Sequence, residues 1–149
     1  MPRTLTPTER EEFLAQPHIG VLSVAGDGDR PPLTVPVWYA YQPGGNLTFF
    51  TGTQGANARK TRLLERAGRL SFCVQRPEIP YKYVTVEASV IKVDRAPAFD
   101  EVFAVTSRYL PEDAARGFAE AETAAPSGTF VLFTARPDRW LSTDFGEDG

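Results

Sequence analysis

The sequence predicts a mainly β protein with a few flanking helices, its strands wrapped into a closed or nearly closed antiparallel barrel. Three observations point there. Six or so segments are rich in β-branched and aromatic residues, clusters of Gly, Pro, Asn and Asp separate them, and only a few stretches read as helical. Closure also suits strands this aromatic, because it leaves no long apolar edge open to pairing with another chain. With 149 residues and no repeat or linker, a single domain spanning 1–149 is expected, long enough to bury a real core.

Each element has its own signal. Thr6-Pro7-Thr8-Glu9 reads as a capping box with proline at the first helical position, opening a short helix to about Gln16 that places Leu5, Phe13 and Leu14 near the core. Residues 18–25 are apolar and β-branched, Gly26-Asp27-Gly28-Asp29 turns the chain, and residues 32–42 return antiparallel. In that second strand Leu33, Val35, Val37, Tyr39 and Tyr41 share one face, and Thr34, Pro36, Trp38 and Ala40 the other. Pro43-Gly44-Gly45-Asn46 turns again into the strand Leu47-Thr48-Phe49-Phe50-Thr51. Beyond a basic helix, residues 69–75 alternate as a strand, and Pro77 and Pro80 interrupt before a long strand from Tyr83 to Val93. Ala96-Pro97 opens a helix to about Tyr109, Pro111 breaks it, and residues 112–123 form an Ala- and Glu-rich helix. Residues 129–134 are a further strand, and the tail 137–145 adds an edge strand or caps a partner.

Composition narrows the function. A net charge of −3 and a pI near 5.2 argue against a general binder of nucleic acid or anionic membrane. No apolar run approaches the ~20 residues of a membrane span, and the N-terminus has no apolar signal core, so a cytoplasmic location is the expectation. One cysteine excludes an internal disulfide framework, and one histidine leaves little for a metal site.

Against that acidic background the basic cluster of residues 59–69 is a local exception. With Asn57 as N-cap, Arg59 and Lys60 fall in the first helical turn, where cations are disfavoured by ~0.3–1 kcal/mol each. An anion held over that turn by backbone N–H groups and the two side chains removes the misfit, so the segment reads as a phosphate cradle.

Taken in order, the hairpin, the aromatic strand, Thr51, the basic helix start and the next strand resemble the pyridoxamine 5′-phosphate oxidase-like split-barrel proteins. Within that group the chain is most similar to the flavin/deazaflavin oxidoreductases. Pro36-Val37-Trp38 is similar to the family strand beneath the isoalloxazine ring. Phe49-Phe50-Thr51 followed by Arg59-Lys60 resembles an aromatic strand, a threonine and a Ser-Arg-Lys triplet, with Ala58 in the serine's place. Lys60-Thr61-Arg62-x-Leu64 is similar to the Lys-Thr-Arg-Asn-Leu motif of deazaflavin-binding members, with Leu63 in place of asparagine. Asp138-Arg139-Trp140-Leu141 looks like the C-terminal strand that reaches the partner's cofactor in relatives. The likeness covers roughly residues 5–145 and includes no trace of the oxidase's own substrate signature, so vitamin B6 chemistry is not implied.

The resemblance implies a homodimeric split barrel of six or more antiparallel strands in Greek-key order, binding coenzyme F420 or FMN at the dimer interface. It implies an oxidoreductase that moves two electrons to or from a small conjugated or heterocyclic substrate, with the cofactor carrying the chemistry and no obligatory catalytic side chain. Arg59, Lys60 and Arg62 with Thr51 would hold the phosphate, Val35, Pro36, Val37 and Trp38 would flank the ring, and Trp140 would close the groove from the other subunit. Lys60-Thr61-Arg62 leans toward the deazaflavin, whereas the threonine-plus-Arg-Lys pattern is shared with FMN members.

Several residues carry two readings. Thr51 and Gly52 either end a strand or approach the phosphate; Trp38 packs at a dimer interface, lines the flavin groove, or does both; Gln75 bonds the ring's polar edge or is an exposed strand end. His18 reads as a capping or surface residue and Cys73 as packing, since neither has the partner that catalysis needs. A non-catalytic carrier of flavin, deazaflavin, haem or tetrapyrrole is the alternative, and no nucleic-acid or membrane partner is expected.

Overall fold

The computed structural model describes residues 2–52, 55–124 and 130–146, with residues 55–57 as backbone alone. Its centre is a seven-stranded, wholly antiparallel sheet in the order β2-β1-β5-β6-β7-β4-β3. The strands are β1 (Gly20–Val24), β2 (Leu33–Val37), β3 (Tyr39–Ala40), β4 (Leu47–Thr51), β5 (Arg69–Arg76), β6 (Lys82–Asp94) and β7 (Val131–Asp144). Four helices accompany them: α1 (Pro7–Ala15), α2 (Gly55–Ala67), α3 (Phe99–Thr106) and α4 (Glu112–Thr123).

The predicted second strand is continuous in sequence but divided in pairing. Residues 33–37 pair with β1 at one edge of the sheet, and residues 39–40 pair with β4 at the other. Trp38 alone separates them. One chain segment therefore supplies both outermost strands, and the sheet curls round to meet itself there.

Period-two alternation explains what the barrel buries. Leu22, Val37, Tyr39, Leu47, Phe49, Phe72, Val74, Val84, Val86 and Phe133 point inward, and α1 closes one end with Phe13 and Leu14. The capping box at Thr6 is present, with Glu9 N–H donating to the Thr6 hydroxyl and Thr6 N–H donating to the Glu9 carboxylate. A second, smaller apolar cluster lies outside the barrel, where Val102, Ala119 and Phe130 pack with Phe50, Phe99, Phe103 and Phe118. It seats α3 and α4 against the outer side of β4.

Three expectations need correction. α2 starts at Gly55, so Asn57 is not its N-cap and Arg59 and Lys60 lie beyond the first turn. The dipole misfit that suggested a cradle is correspondingly weaker; burial, described below, is the stronger sign. The tail is not a separate element, because residues 131–144 run as one strand through Pro137. A bulge accommodates it: Glu87 faces Arg139 and Ala88 faces Pro137, so Asp138 is the extra residue and the missing proline N–H falls at an irregular place in the ladder. α3 spans Phe99–Thr106, shorter than expected at both ends. Thr129, assigned to the last strand, lies outside the described residues.

Candidate functional site

α2 carries the basic motif, and its inward stripe explains which members are buried. Positions 60, 63, 64 and 67 recur at helical spacing and face the barrel. Leu63 and Leu64 are fully buried there, so the position where the deazaflavin motif carries asparagine serves packing in this chain. Lys60 opens the same stripe and is only 8% exposed. Among the described residues it forms no hydrogen bond or ion pair, and burial lowers its pKa from the ordinary lysine value. Lys82 and Lys92, the other lysines, both face acids: Asp144 at 3.7 Å and Asp94 at 3.8 Å.

Lys60 lines a cleft of about 440 Å³ with Ile19, Pro36, Val37, Trp38, Phe50 and Gly52. Apart from the lysine the walls are apolar or aromatic, a chemistry suited to a flat ring bearing a negative group. The cleft lies where the sheet closes, beside Trp38. The Trp38 indole stacks on Tyr109 with centroids 5.1 Å apart and planes 6° from parallel, and Phe118 is tilted against it at 6.3 Å.

The rest of the basic helix is arranged differently. Arg62 makes a two-pronged bond to Asp27 at 2.8 and 2.9 Å, and Arg66 reaches the same carboxylate at 2.9 Å and the Gly26 carbonyl at 2.7 Å. These guanidiniums, chiefly Arg62, hold the Asp27 carboxyl down at about 2, with Arg59 adding to the field. Arg62 is thus tied to the turn between β1 and β2. Arg59 is half-buried, and its Nε is shielded from water without a partner among the described residues. Thr61 and Thr51 are both buried and share a hydroxyl–hydroxyl bond of 2.7 Å, fastening α2 to the end of β4. Ala58 is exposed.

Of the thirteen predicted site residues, Pro36, Val37, Trp38, Gly52 and Lys60 come together in the cleft. Val35 turns toward the barrel interior opposite Leu22. Gln75 is exposed on β5 opposite Tyr83, away from the cleft. Trp140 packs inside its own chain, edge-on to Tyr41 at 6.3 Å and beneath the Arg10 guanidinium at 4.8 Å. The sequence reading missed Ile19 and Phe50. Phe50 had a signal, since in the Phe49-Phe50 pair only one ring can face inward. Ile19 had none, because its position depends on where the ladder ends.

His18 packs on Phe13 with centroids 4.4 Å apart, and its Nε2 donates to the Phe13 carbonyl at 2.9 Å; burial lowers its pKa. Among the described residues no group of three or more His, Cys, Asp and Glu side chains is placed to hold a metal ion.

A family model described as pyridoxamine 5′-phosphate oxidase matches residues 6–144. The chain belongs to this family. Solved structures with the same fold include an F420 reductase at 23% identity and TM-score 0.67, the match covering 88% of this chain and 94% of that one. A conserved hypothetical protein from Mycobacterium tuberculosis is 19% identical with TM-score 0.71, over 95% and 86% of the two chains. An FAD-binding protein from Mesorhizobium loti is 22% identical with TM-score 0.63, over 97% and 96%. At these identities the likeness establishes the fold shared within the family. No curated protein matches the sequence.

Proposed function

We propose that this family member is an oxidoreductase whose cleft takes the phosphorylated, ring-bearing part of a flavin-type cofactor, FMN or coenzyme F420. One observation carries the reading: Lys60 is buried in an apolar cleft without a counter-ion among the described residues. A lysine so placed is unfavourable by itself and becomes favourable when an anion arrives. The shielded Nε of Arg59, one residue earlier, points to the same need. Gly52 leaves open backbone beside it, and Pro36, Trp38 and Phe50 supply apolar surface for a ring.

Either cofactor, when bound, supplies two-electron hydride chemistry. The chain's own work is to neutralise the phosphate through Lys60 and Arg59, to orient the ring against Trp38, and to keep water from the covered face. The reducible or oxidisable partner is a small conjugated molecule. His18, the chain's one histidine, does not line the cleft, which favours this reading over haem carriage there.

Two copies are expected to share the site. On the outer face of the sheet Pro36, Val21, Cys73, Thr85 and Leu141 stand in one row across five strands. Val21 is 38% and Leu141 60% exposed, and Pro36 also lines the cleft, so an apolar surface runs up to the site's rim. We place this homodimer in the cytoplasm.

Titration with FMN and with F420, followed by cofactor fluorescence, tests the proposal. Saturable binding of at least one is expected, with Lys60→Met weakening it at least about tenfold, the loss of one charge-assisted contact. Binding of neither by the folded dimer, or equal binding by K60M, would overturn it. Turnover with reductant and an electron acceptor separates an enzyme from a carrier.

A further inference from the structure

The register of β1 on β2 sets Gly20 opposite Val37. One more step would pair Ile19 with Trp38, and a second would pair His18 with Tyr39. The ladder stops instead, and Ile19 and Trp38 become two walls of the cleft. Between His18 and Tyr39 lies the hydroxyl of Tyr109, a residue from the turn that follows α3. It donates to the His18 carbonyl at 2.7 Å and accepts from the Tyr39 N–H at 3.2 Å, with the Tyr39 carbonyl a longer acceptor at 3.3 Å. A side chain from outside the barrel thus satisfies backbone groups that the parted strands would otherwise offer each other.

The same residue acts on the cleft through its ring, which lies flat on the Trp38 indole. Trp38 is therefore held on one face by Tyr109, supported by Phe118 of α4, and joined at its backbone to the segment that the Tyr109 hydroxyl grips. Burial raises the phenol's pKa, so the hydroxyl keeps its proton and stays a donor across the neutral range.

We propose that Tyr109 is the positioning residue of the cleft: its hydroxyl keeps the strands apart beside Trp38, and its ring sets the plane that Trp38 presents to a flat ligand. The inference rests on the cleft's being the cofactor site, and it makes the turn between α3 and α4 a determinant of affinity although it lines none of the cleft.

The test labels the full chain with 5-fluorotryptophan, assigns the Trp38 and Trp140 resonances with Trp38→Phe, and compares Tyr109→Phe, Tyr109→Leu and Phe103→Leu. Y109F removes the hydroxyl and keeps a ring, Y109L removes both, and F103L loosens α3, the helix that precedes Tyr109, at a side chain that does not stack on Trp38. Without cofactor, the Trp38 resonance is expected to shift or broaden in Y109F and more so in Y109L, while Trp140 stays in place. Affinity for FMN or F420 is expected to fall about fivefold in Y109F and more than tenfold in Y109L, and to hold in F103L despite a lower melting temperature. An unmoved Trp38 resonance in both Tyr109 variants would overturn the proposal, as would an equal loss of affinity in F103L. Wild-type protein that binds neither cofactor would defeat the functional reading, while the Trp38 resonance would still decide the role of Tyr109.

Discussion

An ammonium on an apolar helix stripe is poorly solvated by its neighbours and holds its proton less firmly, and Lys60 shows both properties. Two consequences separate it from a surface lysine. In the free protein Lys60→Met should stabilise by about 1 kcal/mol and raise the melting temperature by about 2–4 °C, even as it weakens cofactor binding. Calorimetry of the wild type and the variant checks this, and a lower melting temperature in K60M would contradict it. Affinity for a phosphate-bearing ligand should also decline with rising pH before the ordinary lysine pKa of 10.5 is reached, since the neutral amine offers no charge. His18 gives a second handle. Its folded pKa is depressed below 6.5, so the unfolded chain takes up the proton first as pH falls, and stability present above 6.5 is lost below it. Asp27 and Glu9, both held at about 2, change little in that window, because their unfolded values of 3.8 and 4.5 lie below it. Melting temperatures between pH 7.5 and 5 should fall in the wild type and stay flatter in His18→Asn.

At the scale of elements, α2 is fixed from two sides. Its inner side is bonded to the end of β4 through Thr61 and Thr51, and its outer side is clipped to the β1–β2 turn by Arg62 and Arg66 on Asp27. The threonine pair is buried, so Thr61→Val strands the Thr51 hydroxyl and should cost about 1–3 kcal/mol in urea denaturation. The double variant Thr51→Val/Thr61→Val should recover much of that loss, because no polar group is left without a partner. The Asp27 clip lasts until the carboxylate protonates. It is intact above the ordinary aspartate value of 3.8 and is lost as pH falls through about 2.

Element positions were largely legible because capping chemistry, prolines and period-two alternation are local signals. Thr6 and Glu9 announced α1, and the apolar and aromatic run Leu47-Thr48-Phe49-Phe50-Thr51 between turn residues announced β4. The single β7 was not legible, since a proline in a strand argues against a strand unless the partner's register is known. Arg62 illustrates the limit at the site: nothing near it in sequence reveals that Asp27, thirty-five positions away, occupies its guanidinium. Tyr109 was invisible for the same reason, being placed only by the meeting of β1, β3 and the turn after α3.

On the whole molecule the outward-facing row from Pro36 to Leu141 predicts assembly. Wild-type protein should run as a dimer in light scattering, and Leu141→Glu together with Val21→Glu should shift it to monomer with cofactor affinity falling in parallel. A monomeric wild type with full affinity would confine the site to one chain.

Because Val37 and Tyr39 belong to opposite margins of the sheet, the structure has a seam one residue wide, and Trp38 is the stitch. Anything lodged against that indole bridges both margins, acting on the closure of the entire molecule as a rivet does on a rolled plate. Loading the cleft should accordingly toughen the protein far from the contact: at a hundredfold excess over Kd, mass action gives about 2.7 kcal/mol, and amide exchange should slow along both margins, β2 and β3, together.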